Sequence, residues 1–296
     1  MHRAQLLAYA ALAVIWGSSF LLLVKVVAAF GWIGAVTFRS LIVAGLLWTL
    51  AKVAKRTLDF GSWRAMTIVG ATTVAAQLIG LSYASPHIGT AMAAIFVGAI
   101  PLFSAVIGFV VDRERMSRVG TFGLWLGFAG IVVLVGFPAT AVDTKFVLGC
   151  AAMLGSTVAA AIGSNYAQRH LNHTGSWEQT IGAFLAGGVM TLPLLVVVPV
   201  PHIPRIADVG WLIALAAVCS ALAYVLYFKL VADVGATQAI SVEFLVTVIA
   251  VFLGAAVLHE KLSSMQFVGG GIILLGCAMV LGLLPQSSLS RRGGHR

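Results

Sequence analysis

The sequence predicts an all-α membrane protein, with ten transmembrane helices arranged as two inverted five-helix repeats. Three observations carry this. Sixty per cent of the 296 residues are hydrophobic and only 9% are charged, where a soluble domain carries roughly 25% charged residues. The mean hydropathy is +1.05. The apolar residues gather in charge-poor runs, each near the roughly 20 residues a helix needs to cross a bilayer. The second half of the chain also repeats the first at a fixed offset of 146 residues.

The runs follow one another directly. Leu6–Val24 carries no charge, and Gly34–Ala51 carries one, Arg39. Ala65–Val111 is 47 residues without Asp, Glu, Lys or Arg. That is too long for one span, and Ser85-Pro86-His87 is expected to divide it into Ala65–Ala84 and Ile88–Val111. Then come Val119–Gly136, Phe146–Gln168, Gln179–Val198, Val209–Phe228, Ala236–Leu258 with Glu243, and Leu262–Leu284. None alternates polar with apolar, as a barrel strand would. The first run exceeds a typical signal-peptide core and nine more follow it, so it reads as an uncleaved first helix. No soluble domain lies between the runs.

The net charge of +9 is placed as a membrane orientation signal, not as a nucleic-acid patch. Thirteen of the 18 Lys and Arg fall on the side holding the N-terminus, the even-numbered loops and the C-terminus; four fall on the other side, and Arg39 lies within a run. Basic loops stay inside, so both termini are expected in the cytoplasm of a plasma-membrane protein. Cys150, Cys219 and Cys277 all sit in apolar runs, which gives neither a disulfide framework nor a metal knuckle. His170 and His173 lack a Cys or Asp nearby, and no metal or cofactor is expected. The partners implied are a small-molecule substrate and the lipid bilayer.

The repeat aligns Gly89–Gly136 with Gly235–Gly282 without gaps. Gly89/Gly235, Ala93/Ala239, Gly108/Gly254, Glu114/Glu260, Ser117/Ser263, Gly123/Gly269, Gly130/Gly276 and Gly136/Gly282 fall in register. The same offset sets Gly17-Ser18-Ser19-Phe20 on Gly163-Ser164-Asn165-Tyr166. Residues 1–138 and 145–285 are therefore expected to be the two halves, with 286–296 a cytoplasmic tail. Five spans is odd, so the second half enters from the opposite face. Inverted halves place a substrate site near the midplane between them, and rocking one half on the other gives alternating access.

Ile15-Trp16-Gly17-Ser18-Ser19-Phe20, Phe38-Arg39, Pro101, and the pair Asp112-Arg113-Glu114-Arg115-Met116-Ser117 and His259-Glu260-Lys261-Leu262-Ser263 complete a pattern over residues 6–284. It resembles the EamA-like family of the drug/metabolite transporter superfamily. The resemblance implies a carrier of small solutes, more often an exporter. Many relatives read Glu-Pro in the ninth helix where this chain has Glu243-Phe244, which puts a kink there in question.

Two ionisable residues, Arg39 and Glu243, lie inside spans. A charge there must face the protein interior or water and find a partner, and at about 1.5 Å per residue the two could be within partial reach of each other. Glu243 is expected to take a substrate amine or couple transport to protons. Trp16, Ser19, Gln77, Asn165, Tyr166, Tyr224 and Tyr227 are the candidate substrate-binding residues, with Gln168 and Gln238 behind them. Asn165 and Tyr166 are chosen because they repeat Ser19 and Phe20, and Tyr224 and Tyr227 because they share a helix face. Ser18 and Ser164 are expected only to pack their glycines. Glu114 and Glu260 are read as turn residues ahead of Ser117 and Ser263, which suit helix N-caps. Gly123-x-x-x-Gly127 and Gly269-Gly270-Gly271 are expected to pack helices closely, with a homodimer face as one use.

No catalytic residues are expected. An aspartyl protease needs two in-span Asp and a rhomboid-type site needs Gly-x-Ser-Gly with an in-span His; neither occurs. There is no nucleotide-binding Gly-rich loop ending in Lys-Ser or Lys-Thr. A nucleotide-sugar-like or other solute exchanger of the same superfamily is the alternative, with an intramembrane enzyme further behind.

Overall fold

The computed structural model describes residues 3–111, 117–137, 142–234 and 239–280. Among the described residues there is no strand, and helices follow one another through short connections. α1 (Arg3–Val53) is a bent rod. Its two arms, 3–30 and 32–53, meet at Gly31, whose φ of 72° is one that glycine alone adopts cheaply. α2 (Trp63–Ile88), α3 (Thr90–Val111), α4 (Arg118–Gly136), α5 (Thr144–His170), α6 (Ser176–Val197) and α7 (Ile206–Val234) are, with α1, long and apolar enough to cross a membrane; α8 (Val242–Val257) and α9 (Ser264–Val280) are shorter and apolar. Among the described residues, the ten apolar runs of the sequence fall on these rods, two of them on α1.

Local chemistry sets the ends. Ser62, Ser117 and Asp143 each accept a hydrogen bond from the backbone three residues on, which satisfies an orphan donor at the start of α2, α4 and α5. Ser263 and Gln266 cap α9 reciprocally.

Three boundaries differ from the sequence reading. The long third run breaks at Gly89 (φ 83°), not at Ser85-Pro86-His87. Pro86 removes only one donor, so the helix continues past it until a glycine can reverse φ. The first helix runs beyond Val24 to Phe30, which puts Lys25 on a helix instead of in a loop. Its ammonium sits 4.2 Å from the Trp211 ring centroid, a cation–π contact that tolerates a charge there. In the ninth run the turn comes at Ser241, before Glu243, and α8 then runs unbroken. Glu114, Gly235, Gln238 and the tail 286–296 lie outside the described residues.

The halves interlock. α3, from the first half, packs against α8 of the second, and α1 also packs against α8. At the back, α4 lies along α9 through Gly123, Gly127 and Gly130 facing Gly269 and Gly276. These glycines pack the two helices closely within the chain, as their spacing predicts. Gly127 accommodates Leu102 of α3 in the same seam.

α2 and α7 each contain a widened π-helical stretch, Gly70–Ala76 and Ala217–Leu222. The two stretches stand one repeat apart to within a residue. The third helix of each half thus carries the same distortion, although few of the residues match.

Candidate functional site

A cavity of about 60 Å³ lies between the halves. Its wall includes Trp16, Ser19, Arg39, Gln77, Tyr224 and Glu243, with Val97 of α3. Six of the sequence candidates therefore meet in one space, drawn from α1, α2, α7 and α8.

The π stretch of α7 organises one side. A π turn leaves carbonyls without their usual helical partners. The Cys219 carbonyl accepts the Trp16 indole N–H at 3.2 Å, which fixes that ring across the gap between α1 and α7. The Ser220 hydroxyl donates to the Leu215 carbonyl at 2.9 Å, and accepts from Arg39 Nε. Arg39 is 5% exposed, and this contact holds its guanidinium at the cavity wall. Trp16 packs on Tyr224 and Tyr227 with ring centroids 5.5 and 5.3 Å apart, and Phe184 meets Tyr224 edge-on at 4.9 Å. Such tilted contacts are the favoured aromatic geometry.

Glu243 is 8% exposed and stands in the first turn of α8. The helix dipole there favours a negative charge. Among the described residues no ion pair joins Glu243 to Arg39; the cavity separates them. Ser19 donates to the carbonyl of Trp16 in its own helix at 2.7 Å, leaving its oxygen lone pairs for the cavity.

A second pocket of about 290 Å³ is lined by Ser164, Gln168, Asn172, Gln179, Tyr227 and Phe228. Tyr227 stands between the two spaces: it lines this pocket beside Ser164, and its ring touches Trp16 of the cavity wall. We call this pocket the vestibule.

Asn165 and Tyr166 are placed elsewhere. Asn165 donates to Ser104 of α3 and to the Ala161 carbonyl, both at 2.8 Å. Tyr166 stacks on His170 with centroids 4.0 Å apart. Their neighbour Ser164, expected only to pack its glycine, faces the vestibule instead. One residue turns the direction by about 100° around a helix, so Ser164 and Asn165 of α5 face different neighbours.

The sequence also passed over Ser220, whose only signal was a hydroxyl in an apolar run, and Glu178. Glu178 is 5% exposed, 4.0 Å from Arg56, whose guanidinium lies 5.2 Å from the Trp177 ring. Glu260 caps a different helix from the one its spacing suggested: its carboxylate reaches Thr90 and Ala91 at the start of α3, not α9. No cluster of His, Cys, Asp and Glu among the described residues could hold a metal ion.

Comparison with known proteins agrees with this architecture. Residues 3–136 and 147–282 each match the EamA-like transporter family. An uncharacterized transporter of Archaeoglobus fulgidus is 23% identical over 72% of this chain and 75% of its own length. The uncharacterized transporter YoaV of Bacillus subtilis is 22% identical over 67% and 69%. A chloroplastic WAT1-related protein of Arabidopsis thaliana is 28% identical over 90% of this chain and 66% of its own. A solved crystal structure superposes with a TM-score of 0.69 over 96% of this chain and 98% of that one, at 16% identity, and so shares the fold. With two copies of the family's unit covering nearly the whole chain, this protein is a multi-pass membrane protein and a member of the EamA-like transporter family.

Proposed function

We propose that this chain is a secondary transporter that exports small metabolites or drugs across the plasma membrane by alternating access. In this reading it crosses the bilayer ten times with both termini in the cytoplasm, and catalyses no covalent chemistry. The observation that carries the proposal is the cavity between the halves, with a guanidinium, a carboxyl group and aromatic rings in its wall.

Each in-span charge costs about 2.5–3.5 kcal/mol on insertion scales. Arg39 and Glu243 do not offset that cost by pairing with each other. Both are available to a solute. A solute with an amine on an apolar body suits the wall: Glu243 takes the amine, while Trp16 and Tyr224 cover the body and attract positive charge. Gln77 and Ser19 add neutral hydrogen-bonding groups. Between solutes, Glu243 can carry a proton, which would couple transport to the proton gradient. The vestibule gives a solute a polar route to Tyr227 and so to the cavity.

The test is purified protein in proteoliposomes, offered labelled amino acids, nucleobases and cationic dyes with and without a pH gradient. Glu243→Gln keeps the shape and removes the charge. It should lower transport of any amine-bearing solute at least about tenfold, equivalent to about 1.4 kcal/mol of lost interaction. Wild-type transport with unchanged pH dependence in that variant would remove Glu243 from the mechanism.

A further inference from the structure

About 10 Å along α3 from Val97 of the cavity wall, the two halves are joined by a contact that neither half makes alone. The helix start at Thr90 is unusual in being buried: Thr90 is 1% exposed, and Ala91 and Met92 are fully covered. The first backbone N–H groups of a helix have no partner within it. The residue ahead of Thr90 is Gly89, which has no side chain to cap them. The cap comes from the other half of the protein. Glu260, in the connection between α8 and α9, accepts from Thr90 N at 2.7 Å and the Thr90 hydroxyl at 2.8 Å with one oxygen, and from Ala91 N at 2.8 Å with the other.

The surroundings are shaped for this contact. His259 takes a φ of 54°, a left-handed conformation rare outside glycine, which turns the chain so that Glu260 points back. The Glu260 amide bonds the Gly254 carbonyl at 3.1 Å. A Cβ on Gly254 would stand 2.9 Å from the Glu260 carboxylate and 3.2 Å from the Thr90 hydroxyl, so only glycine leaves room.

The contact sits at the opposite end of the bundle from the vestibule. Gly149 of α5 packs on His87 and Ile88, beside Gly89, whereas Ser164 of the same helix lines the vestibule. Fifteen residues of helix separate them by about 22 Å.

We propose that the Glu260 carboxylate is the latch of the gate at this end: joined to the start of α3, it holds the halves shut there while the vestibule end is open, and its release accompanies the opposite opening. This rests on the alternating-access reading. Alternating access requires a contact between halves that exists in one state only. A charge-assisted cap is suited to that role, because water can take over both partners once the end opens.

The test is side-resolved labelling. Val97 lines the cavity and is 7% exposed. Val97→Cys, in a background lacking Cys150, Cys219 and Cys277, is treated with a membrane-impermeant maleimide in sealed vesicles of either orientation. With the latch intact, Cys at 97 should react from the vestibule face. Glu260→Gln replaces an acceptor oxygen by an amide N–H that confronts a donor. It should raise the rate from the latch face and lower it from the vestibule face, moving their ratio about tenfold or more, as expected for a two-state shift. Thr90→Val, which keeps Glu260 and removes one donor, should move the ratio the same way by less, and it serves alone if the first variant does not fold. Rates that rise from both faces, or a ratio that stays put, would mean that the carboxylate only stiffens its loop, and the latch would be wrong. Labelling needs no substrate, so that result would leave the transport reading standing. Failure to transport any solute with the predicted labelling would do the reverse.

Discussion

Replacing Gly276 by alanine should destabilise the protein, while the same change five residues earlier, at Gly271, should not. A Cβ at 276 would stand 2.6 Å from the Gly123 carbonyl oxygen, 2.6 Å from the Gly127 nitrogen and 2.8 Å from the Gly127 Cα. All three are backbone atoms of α4, which cannot rotate aside. Ordinary carbon contacts lie near 3.5–4.0 Å, so the helices would have to separate locally by about 1 Å, a gap that forfeits up to half of each dispersion contact along the seam. Gly130 against Gly269, at 2.9 Å for either added Cβ, and Gly123 against Gly276, at 2.8 Å, would loosen with it. Overpacking of this kind costs about 1–3 kcal/mol. Alanine recovers up to about 1 kcal/mol of helix propensity, leaving a net loss of up to about 2 kcal/mol. On the scaling of large domains that lowers the midpoint by up to about 8 °C. Gly271 has nothing within 4 Å of an added Cβ, so Gly271→Ala keeps only the propensity gain. Thermal unfolding of both variants in one detergent, followed by thiol accessibility of Cys277, decides the matter. Equal midpoints would show that α4 and α9 do not rely on glycine for their approach.

Two further outcomes follow. Gly163→Ala should destabilise the contact of α5 with α2, because its Cβ would overlap the Thr73 hydroxyl and crowd that of Thr72 at 2.5 Å. Adding Thr73→Ala should restore most of the loss, and a thermal-shift double-mutant cycle with coupling below about 0.5 kcal/mol would contradict that contact. Trp16→Phe keeps the ring and removes the indole donor to the Cys219 carbonyl. An unmatched buried acceptor costs about 1–3 kcal/mol, so solute affinity should fall with little change in maximal rate; an unchanged affinity would mean that the bond does not position Trp16.

What the sequence discloses and what it hides have different physical scales. Helix position is legible because it depends on local composition: Arg39 and Glu243 stand out against apolar neighbours, and the glycines that let α4 approach α9 lie at a readable spacing. The pairing of those helices is also suggested by the repeat, which puts Gly123, Gly130, Gly269 and Gly276 in register. Facing is less legible. The offset that pairs Ser19 with Asn165 assumes that both helices present the same side to the centre. α5 instead packs against α3, where Ser104 takes the Asn165 side chain, and Ser164 turns inward.

Non-local partners are hidden altogether. Glu260 lies three residues before a serine that caps its own helix, so every local cue assigns it to α9. Its actual partners stand 170 positions away along the chain. They need it because a glycine broke the helix inside the protein, away from water. The π stretches make the same point for the backbone. Gly70–Ala76 and Ala217–Leu222 share little side-chain chemistry, yet both halves widen there. In α7, the carbonyls near that widening hold Trp16 and, through Ser220, Arg39 at the cavity. A distortion that costs helical hydrogen bonds survives when other groups use the carbonyls it leaves. Here the groups that do so on α7 stand at the wall of the cavity that Arg39 and Glu243 also line.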